Sequence, residues 1–224
     1  WCHRRRRTTS ERIHDDAMLQ SHEYSIRVRG SEVARGRIIP GHRLAINPGG
    51  AVMEIAGIPT TEPAFGLPAV WIEEGARAEA EALGYTVVDS ESVIVTHLTE
   101  TIRRHVDELL TRQETKKLVE TLKDLNAAVV EEVIPDRLGL GEVQRVLQQL
   151  LREGVPIRDL GTILETIGDR ASVTRDPMLL AEYARQALGR TITSSFLDEL
   201  STLRAITLDP ALEQEVVESL SLTT

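Results

Sequence analysis

Near Asp89 the spacing of apolar residues changes, and that switch limits the folds open to this chain more than any other property. Before it, apolar residues alternate with polar ones or sit in short runs bounded by Gly and Pro. After it, they recur every three or four positions as far as about residue 189. A period of two lays side chains on one face of a strand, whereas a period of about 3.6 lays them along one stripe of a helix. The chain therefore divides into small strand-rich modules followed by helices, an α+β multidomain organisation. The helices share no fixed repeat period, so a solenoid is not supported.

Within the first part, Glu23-Tyr-Ser-Ile-Arg-Val-Arg alternates Tyr24, Ile26 and Val28 with polar neighbours, the mark of a half-buried strand closed by Gly30. Residues 33–39 predict a second strand. A third, His42-Arg-Leu-Ala-Ile-Asn, runs into Asn47-Pro-Gly-Gly, where Pro48 presets φ and Gly49 or Gly50 supplies a positive one. That glycine pair lacks the strand–GxGxxG–helix setting of a phosphate cradle and reads as a tight turn. The loop Pro63-Ala-Phe-Gly-Leu-Pro leads into a strand over about residues 69–72 and a helix over about 74–83. Gly84 stands where a left-handed helix cap belongs, and a strand follows from Tyr85.

Asp89 and Ser90 can cap a long helix whose apolar face is Ile94, Leu98, Ile102, Val106 and Leu109. Residues 111–189 predict helices throughout. Leu118, Leu122 and Leu125 mark one stripe; Val143, Val146, Leu147, Leu150 and Leu151 mark another; Leu160, Ile163, Leu164 and Ile167 mark a third. A last helix opens at Asp176 and Pro177, faces inward through Leu180, Tyr183, Ala184, Ala187 and Leu188, and is expected to stop at Gly189. Beyond it, residues 203–208 predict a strand, and Asp209-Pro opens a helix. One strand and one helix cannot bury their own apolar faces, so this tail reads as the start of a larger unit.

The charge balance narrows the partners. The net charge is −9, and residues 1–12 hold five arginines against one glutamate, which leaves −13 for the body. An acidic body repels phosphate backbones, so nucleic acid is not an expected partner. The single cysteine, Cys2, cannot build a disulfide framework. No apolar run approaches the roughly eighteen residues of a spanning helix. Residues 1–21 show no periodicity and read as a disordered or non-family tail, and Trp1 is not a translation start, so the chain is expected to be cut from something longer.

Chemistry leaves few marks. His3, His14, His22, His42, His97 and His105 are scattered without the tight local spacing of a metal site. His97 and His105 are expected in structural roles on a helix. No nucleophile elbow, P-loop or dinucleotide fingerprint occurs, and pairs such as Glu73-Glu74 and Glu131-Glu132 read as solvated helix faces. No catalytic residue, metal or cofactor is therefore expected. Aromatics make up only 3% of the chain, which draws attention to Trp71 and Phe65. Trp71 lies in an apolar strand and reads as core. Phe65 lies between Pro and Gly in a loop, where it is either core or an exposed anchor for another protein.

Several of these segments carry a resemblance. Leu44-Ala-Ile-Asn-Pro-Gly-Gly and Gly57-Ile-Pro-Thr-Thr-Glu-Pro-Ala-Phe-Gly-Leu-Pro-Ala-Val-Trp-Ile resemble the cytoplasmic part of the flagellar type III export-gate (FHIPEP) family. So do Gly84-Tyr-Thr-Val-Val-Asp, Val95-Thr-His-Leu-Thr-Glu, Gln144-Arg-Val-Leu-Gln-Gln-Leu-Leu, Ile157-Arg-Asp-Leu-Gly-Thr-Ile-Leu-Glu-Thr and Ala187-Leu-Gly-Arg-Thr-Ile. The motifs run in order from about residue 22 to 220.

The resemblance implies a first α/β domain formed by residues 22–40 and 90–109, truncated at its front, and interrupted by a ferredoxin-like domain at 41–89. A helical domain at 110–189 and the start of a truncated C-terminal α/β domain at 190–224 would follow. It further implies a noncatalytic platform at the cytoplasmic face of the inner membrane, attached through a membrane-spanning half outside this chain and assembled into a homo-oligomeric ring. The implied partners are export chaperone–substrate complexes and other export-apparatus proteins. The implied docking site is an apolar dimple between the first two domains with Phe65, Glu62 and Thr96 as members. Phe65 would supply the apolar contact; Glu62, where some relatives carry Asp, would accept hydrogen bonds from a partner or orient the loop; Thr96 would shape the opposite wall. An injectisome export gate is the alternative reading, and a small α/β enzyme a remote one.

Overall fold

The computed structural model describes residues 13–50, 53–199, 201–207 and 209–221. Residues 13–21 carry turns only, with Asp16 paired to Arg27 at 2.9 Å; the rest of the expected tail lies outside the described residues. Strands β1 (Glu23–Val28) and β2 (Ser31–Arg37) form an antiparallel hairpin. Arg29 and Gly30 turn the chain with φ of +51° and +86°, the handedness that matches strand twist.

The second sheet contains β3 (His42–Ile46), β4 (Ile58–Thr61), β5 (Pro68–Glu73) and β6 (Thr86–Val88) in the order β4-β5-β3-β6, with every neighbour antiparallel. Alternation sends Leu44, Ala69 and Trp71 to one face and Ala45 and Ile72 to the other. Helix α1 (Arg77–Ala82) brings Ala80 to the second face, where Tyr85 also packs. Helix α2 (Ser90–Arg104) brings Val93 to the first. Both faces are covered, which is why the β5 core Ala-Val-Trp-Ile is continuously apolar rather than alternating. Each such buried large side chain contributes roughly 1.5–3 kcal/mol.

Helix α2 begins as expected, with Asp89 accepting from the Ser92 amide at 2.7 Å. Its buried stripe, however, is Val93, His97 and Thr101, one position ahead of Ile94, Leu98 and Ile102, which are only half-buried. Two polar residues can lie inward because each is satisfied: His97 by Tyr24, and Thr101 by its own bond to the His97 carbonyl at 2.7 Å. The helix also stops at His105 and resumes as the short α3 (Val106–Leu109), so the expected single helix is two pieces.

Over residues 111–189 helices follow one another as expected: α4 (Arg112–Leu125), α5 (Ala127–Val133), α6 (Leu140–Arg152), α7 (Leu160–Arg170) and α8 (Pro177–Ala187). Their shared core contains Val143, Val146, Leu147, Leu150, Ile163, Leu164, Ile167 and Leu180. At Gly168 a Cβ would stand 2.5 Å from Val133 Cγ2, so α7 approaches α5 closely there.

Several expectations are corrected. On α4 the buried residues are Thr115 and Val119; of the expected stripe Leu122 packs against the core, while Leu118 is 38% exposed and Leu125 83%; Thr115 Oγ1 donates to the Thr111 carbonyl and so tolerates burial. On α8, Ala187 is exposed, and half-buried Tyr183 instead lies beneath the Arg170 guanidinium at 4.7 Å. Gly189 does not end α8 but starts another short helix, α9 (Gly189–Ser194). A strand at Ile58–Thr61 was not expected. The strand expected at 203–208 is absent over 203–207, which has no ladder partner among the described residues, and residue 208 lies outside them. The helix opened by Asp209 does form, as α10 (Pro210–Ser221).

Candidate functional site

The loop between β4 and β5 is closed by its own backbone. The Glu62 amide donates to the Leu67 carbonyl at 2.8 Å, and the Gly66 amide donates to the Glu62 carbonyl at 3.0 Å. Gly66 has φ of +73°, a conformation that a Cβ disfavours. The amides of Ala64 and Phe65 are left over, and both point at one side chain. Glu62 Oε1 accepts from Ala64 at 2.9 Å, and Oε2 accepts from Phe65 at 2.7 Å. The carboxylate residue is 3% exposed, and burial is tolerable because both oxygens are hydrogen-bonded. Of the two roles the resemblance implies for Glu62, these hydrogen bonds match the orienting of its own loop.

The loop turns its two apolar side chains opposite ways. Ala64 is 2% exposed, whereas the Phe65 ring is 60% exposed. Trp71, by contrast, is 3% exposed and belongs to the core. Phe65 is therefore an outward aromatic on a loop fixed from within.

Helix α2 reaches this loop through Arg104, whose Nη2 donates to the Ala64 carbonyl at 2.6 Å. The same guanidinium donates through Nε to Glu100 at 3.2 Å. Thr96, Glu100 and Arg104 are spaced by four and share one face of the helix. Thr96 is exposed and stands two turns, about 12 Å along the axis, before the arginine that touches the loop. Glu62 and Phe65 are thus brought together directly, whereas Thr96 shares only the helix face of Arg104 and lies two turns away from it along α2.

Within reach of the Glu62 and Arg104 charges lies a small polar cluster. Tyr24 Oη and His97 Nδ1 are 2.8 Å apart, with the rings edge to face. Burial pushes the Tyr24 phenol up to about 12, helped by the nearby Glu62 charge. Burial pulls the His97 imidazole below its ordinary value; Arg104 adds to that, and Glu62 opposes it. Both shifts favour a protonated phenol donating to a neutral imidazole. Sequence reasoning missed Tyr24, His97 and Arg104 as parts of this site. The only local signal for the last was the Glu100–Arg104 spacing of a helical ion pair.

Two clefts lie elsewhere, on the helical part. One, of about 310 Å³, is lined by Arg137, Gly168, Ala171, Ser172 and Arg175; the other, of about 270 Å³, is lined by residues including Val129, Glu132, Glu165 and Asp169. Arg137 already bonds Glu132 and the Gly168 carbonyl. Among the described residues no three His, Cys, Asp or Glu side chains are grouped to hold a metal ion, and no helix is long and apolar enough to cross a membrane.

Comparison with known proteins extends these observations. A family model described as the FHIPEP family matches residues 8–224, beginning well ahead of residue 22. The flagellar biosynthesis protein FlhA of Bacillus subtilis is 46% identical over 212 residues, which are 95% of this chain and 31% of that protein. Its counterpart in Borreliella burgdorferi is 48% identical over 208 residues, 93% of this chain and 30% of that one. The chain thus spans less than a third of the length of these relatives. Among solved structures, Chlamydia pneumoniae CdsV is similar with a TM-score of 0.73 and 29% identity, over 89% of this chain and 57% of that one. The nonameric SctV-C seen by cryo-electron microscopy has a TM-score of 0.59 over 91% of this chain and 69% of its own, and at 19% identity the likeness is one of fold.

Proposed function

The chain belongs to the FHIPEP family, and from that premise we propose that it is part of a flagellar type III protein-export gate, a platform that docks export chaperone–substrate complexes. The observation that carries this reading is Phe65. A 60% exposed ring sits on a loop whose amides are held by a buried carboxylate, so it can be covered by a partner with little loss of conformational freedom. Other large apolar side chains are exposed too, Phe196 at 67% among them, but the Phe65 loop is held from within by the Glu62 carboxylate. Glu62 acts in this reading by holding the loop, and Thr96 by contributing to the helix face beside it.

The proposed architecture follows the same lines. Numbered along the chain, the strands of the second sheet run 2-3-1-4. That order supports residues 41–89 as a ferredoxin-like insertion, with no helix at its first crossover among the described residues. Residues 22–40 and 90–109 then form the enclosing domain, residues 110–189 the helical domain, and 190–224 the opening of a C-terminal one. Assembly into a ring at the cytoplasmic face of the inner membrane is part of the proposal, supported by the nonameric form of the SctV-C relative in fold. The platform works by binding, without a catalytic step.

The flagellar branch is favoured over an injectisome gate by identities of 46% and 48% to flagellar proteins. The test is a pull-down of the complete cytoplasmic module with purified flagellar chaperone–cargo pairs. Capture that is lost with Phe65→Ala is expected. Capture of injectisome chaperone pairs alone would transfer the proposal to the second reading, and capture of neither would end it.

A further inference from the structure

Resting on the docking reading above, we propose that Arg104 is a positioning residue of the site, fixing the Phe65 ring from a different element of the fold. The peptide unit between Ala64 and Phe65 has two polar ends. Its N–H, from Phe65, donates to Glu62 Oε2 at 2.7 Å. Its carbonyl, from Ala64, accepts from Arg104 Nη2 at 2.6 Å. A peptide unit is planar, so holding both ends fixes its plane, and that plane constrains the φ that aims the Phe65 side chain.

The two clamps differ in kind. The Glu62 bond lies within the loop, spanning three residues. The Arg104 bond spans forty residues and registers the loop against α2. Arg104 is prepared for this by Glu100, whose side chain is only 15% exposed and holds the arginine Nε at 3.2 Å. A planar guanidinium can serve two acceptors in fixed directions, which a lysine ammonium at the end of a flexible stem cannot reproduce. Loss of Arg104 should leave the loop folded but let the ring wander.

The chain has two phenylalanines, Phe65 and Phe196, so labelling with 4-fluorophenylalanine gives two fluorine resonances, assigned with Phe196→Leu. In Arg104→Gln the Phe65 resonance should shift or broaden while the far-ultraviolet spectrum is unchanged. The dissociation constant for a flagellar chaperone–cargo pair should rise about tenfold, and Phe65→Ala/Arg104→Gln should bind no more weakly than Phe65→Ala alone. Should Arg104→Gln not fold, Arg104→Lys, which keeps the charge but lacks the planar fork, reads the same resonance. An unmoved Phe65 resonance, or a double variant showing the two losses added together, would overturn the proposal. The fluorine measurement needs no partner, so a failure of the docking reading, seen as unchanged binding by Phe65→Ala, is separable from a failure of Arg104.

Discussion

The Tyr24 hydroxyl and the His97 imidazole, seventy-three residues apart in the chain, meet at 2.8 Å and join the first hairpin to α2. The bond requires a protonated phenol and a neutral ring, so its contribution has two pH limits. The His97 pKa is lower in the fold than its ordinary value near 6.5. The unfolded chain therefore binds more protons below that pH, and stability is lost as pH falls from about 6.5. Tyr24 is raised from 10.0 to about 12, so its contribution is complete below pH 10 and lost between about 10 and 12. Urea denaturation from pH 5 to 11 should show both slopes. Tyr24→Phe should flatten the alkaline one, and His97→Gln should reduce the acid one.

Removing the Phe65 ring should weaken chaperone–cargo binding by about 2 kcal/mol, a factor of about thirty, as for a central aromatic anchor. Being 60% exposed, the ring contributes little to the fold, and Phe65→Ala should leave the melting temperature nearly unchanged. Isothermal titration beside thermal denaturation checks both halves.

Glu62 should affect stability as well as binding. Glu62→Ala strands the Ala64 and Phe65 amides and should destabilise the fold by about 1–3 kcal/mol. Glu62→Gln keeps one acceptor but turns an amide donor toward the other N–H, so its loss should lie between wild type and alanine. Both should weaken docking even though Phe65 is intact. A binding defect in Glu62→Ala with unchanged stability would instead make Glu62 a direct contact.

At Gly168 two effects compete. Alanine in mid-helix gains about 1 kcal/mol over glycine, but the new Cβ would stand 2.5 Å from Val133 Cγ2. Val133 is 3% exposed and β-branched, so it cannot swing aside. Overpacking should win, and Gly168→Ala should lose about 1–3 kcal/mol in chemical denaturation. Adding Val133→Ala should cost less than the sum of the two single changes.

The elements that could be read from the chain were those whose period and punctuation agreed. Helix α7 buries Leu160, Ile163, Leu164 and Ile167 as its spacing implied, and α8 opens on Asp176 and Pro177. What escaped had a tertiary cause. Strand β4 carries Pro59 and no alternation, and it exists because an edge strand tolerates a missing amide while β5 supplies the pairing. The inward turn of α2 by one residue depends on Tyr24, from another part of the chain, accepting His97 as a neighbour. At the site, Phe65 stood out because aromatics are scarce, yet nothing in the spacing marked Glu62 as buried or Arg104 as its counterpart. Their roles arise only when the β4–β5 loop meets α2.

The layered sheet carries a practical consequence for anyone dissecting this protein. Leu44, Ala69 and Trp71 are roofed by α2, which the proposed boundaries assign to the enclosing domain rather than the insertion. A peptide cut out at residues 41–89 would therefore present that side of its sheet bare to water and should clump, whereas one extended to residue 109 should stay dispersed in a sedimentation run. A cut at residue 89, where the proposed insertion ends, is in this case the wrong place to divide the chain.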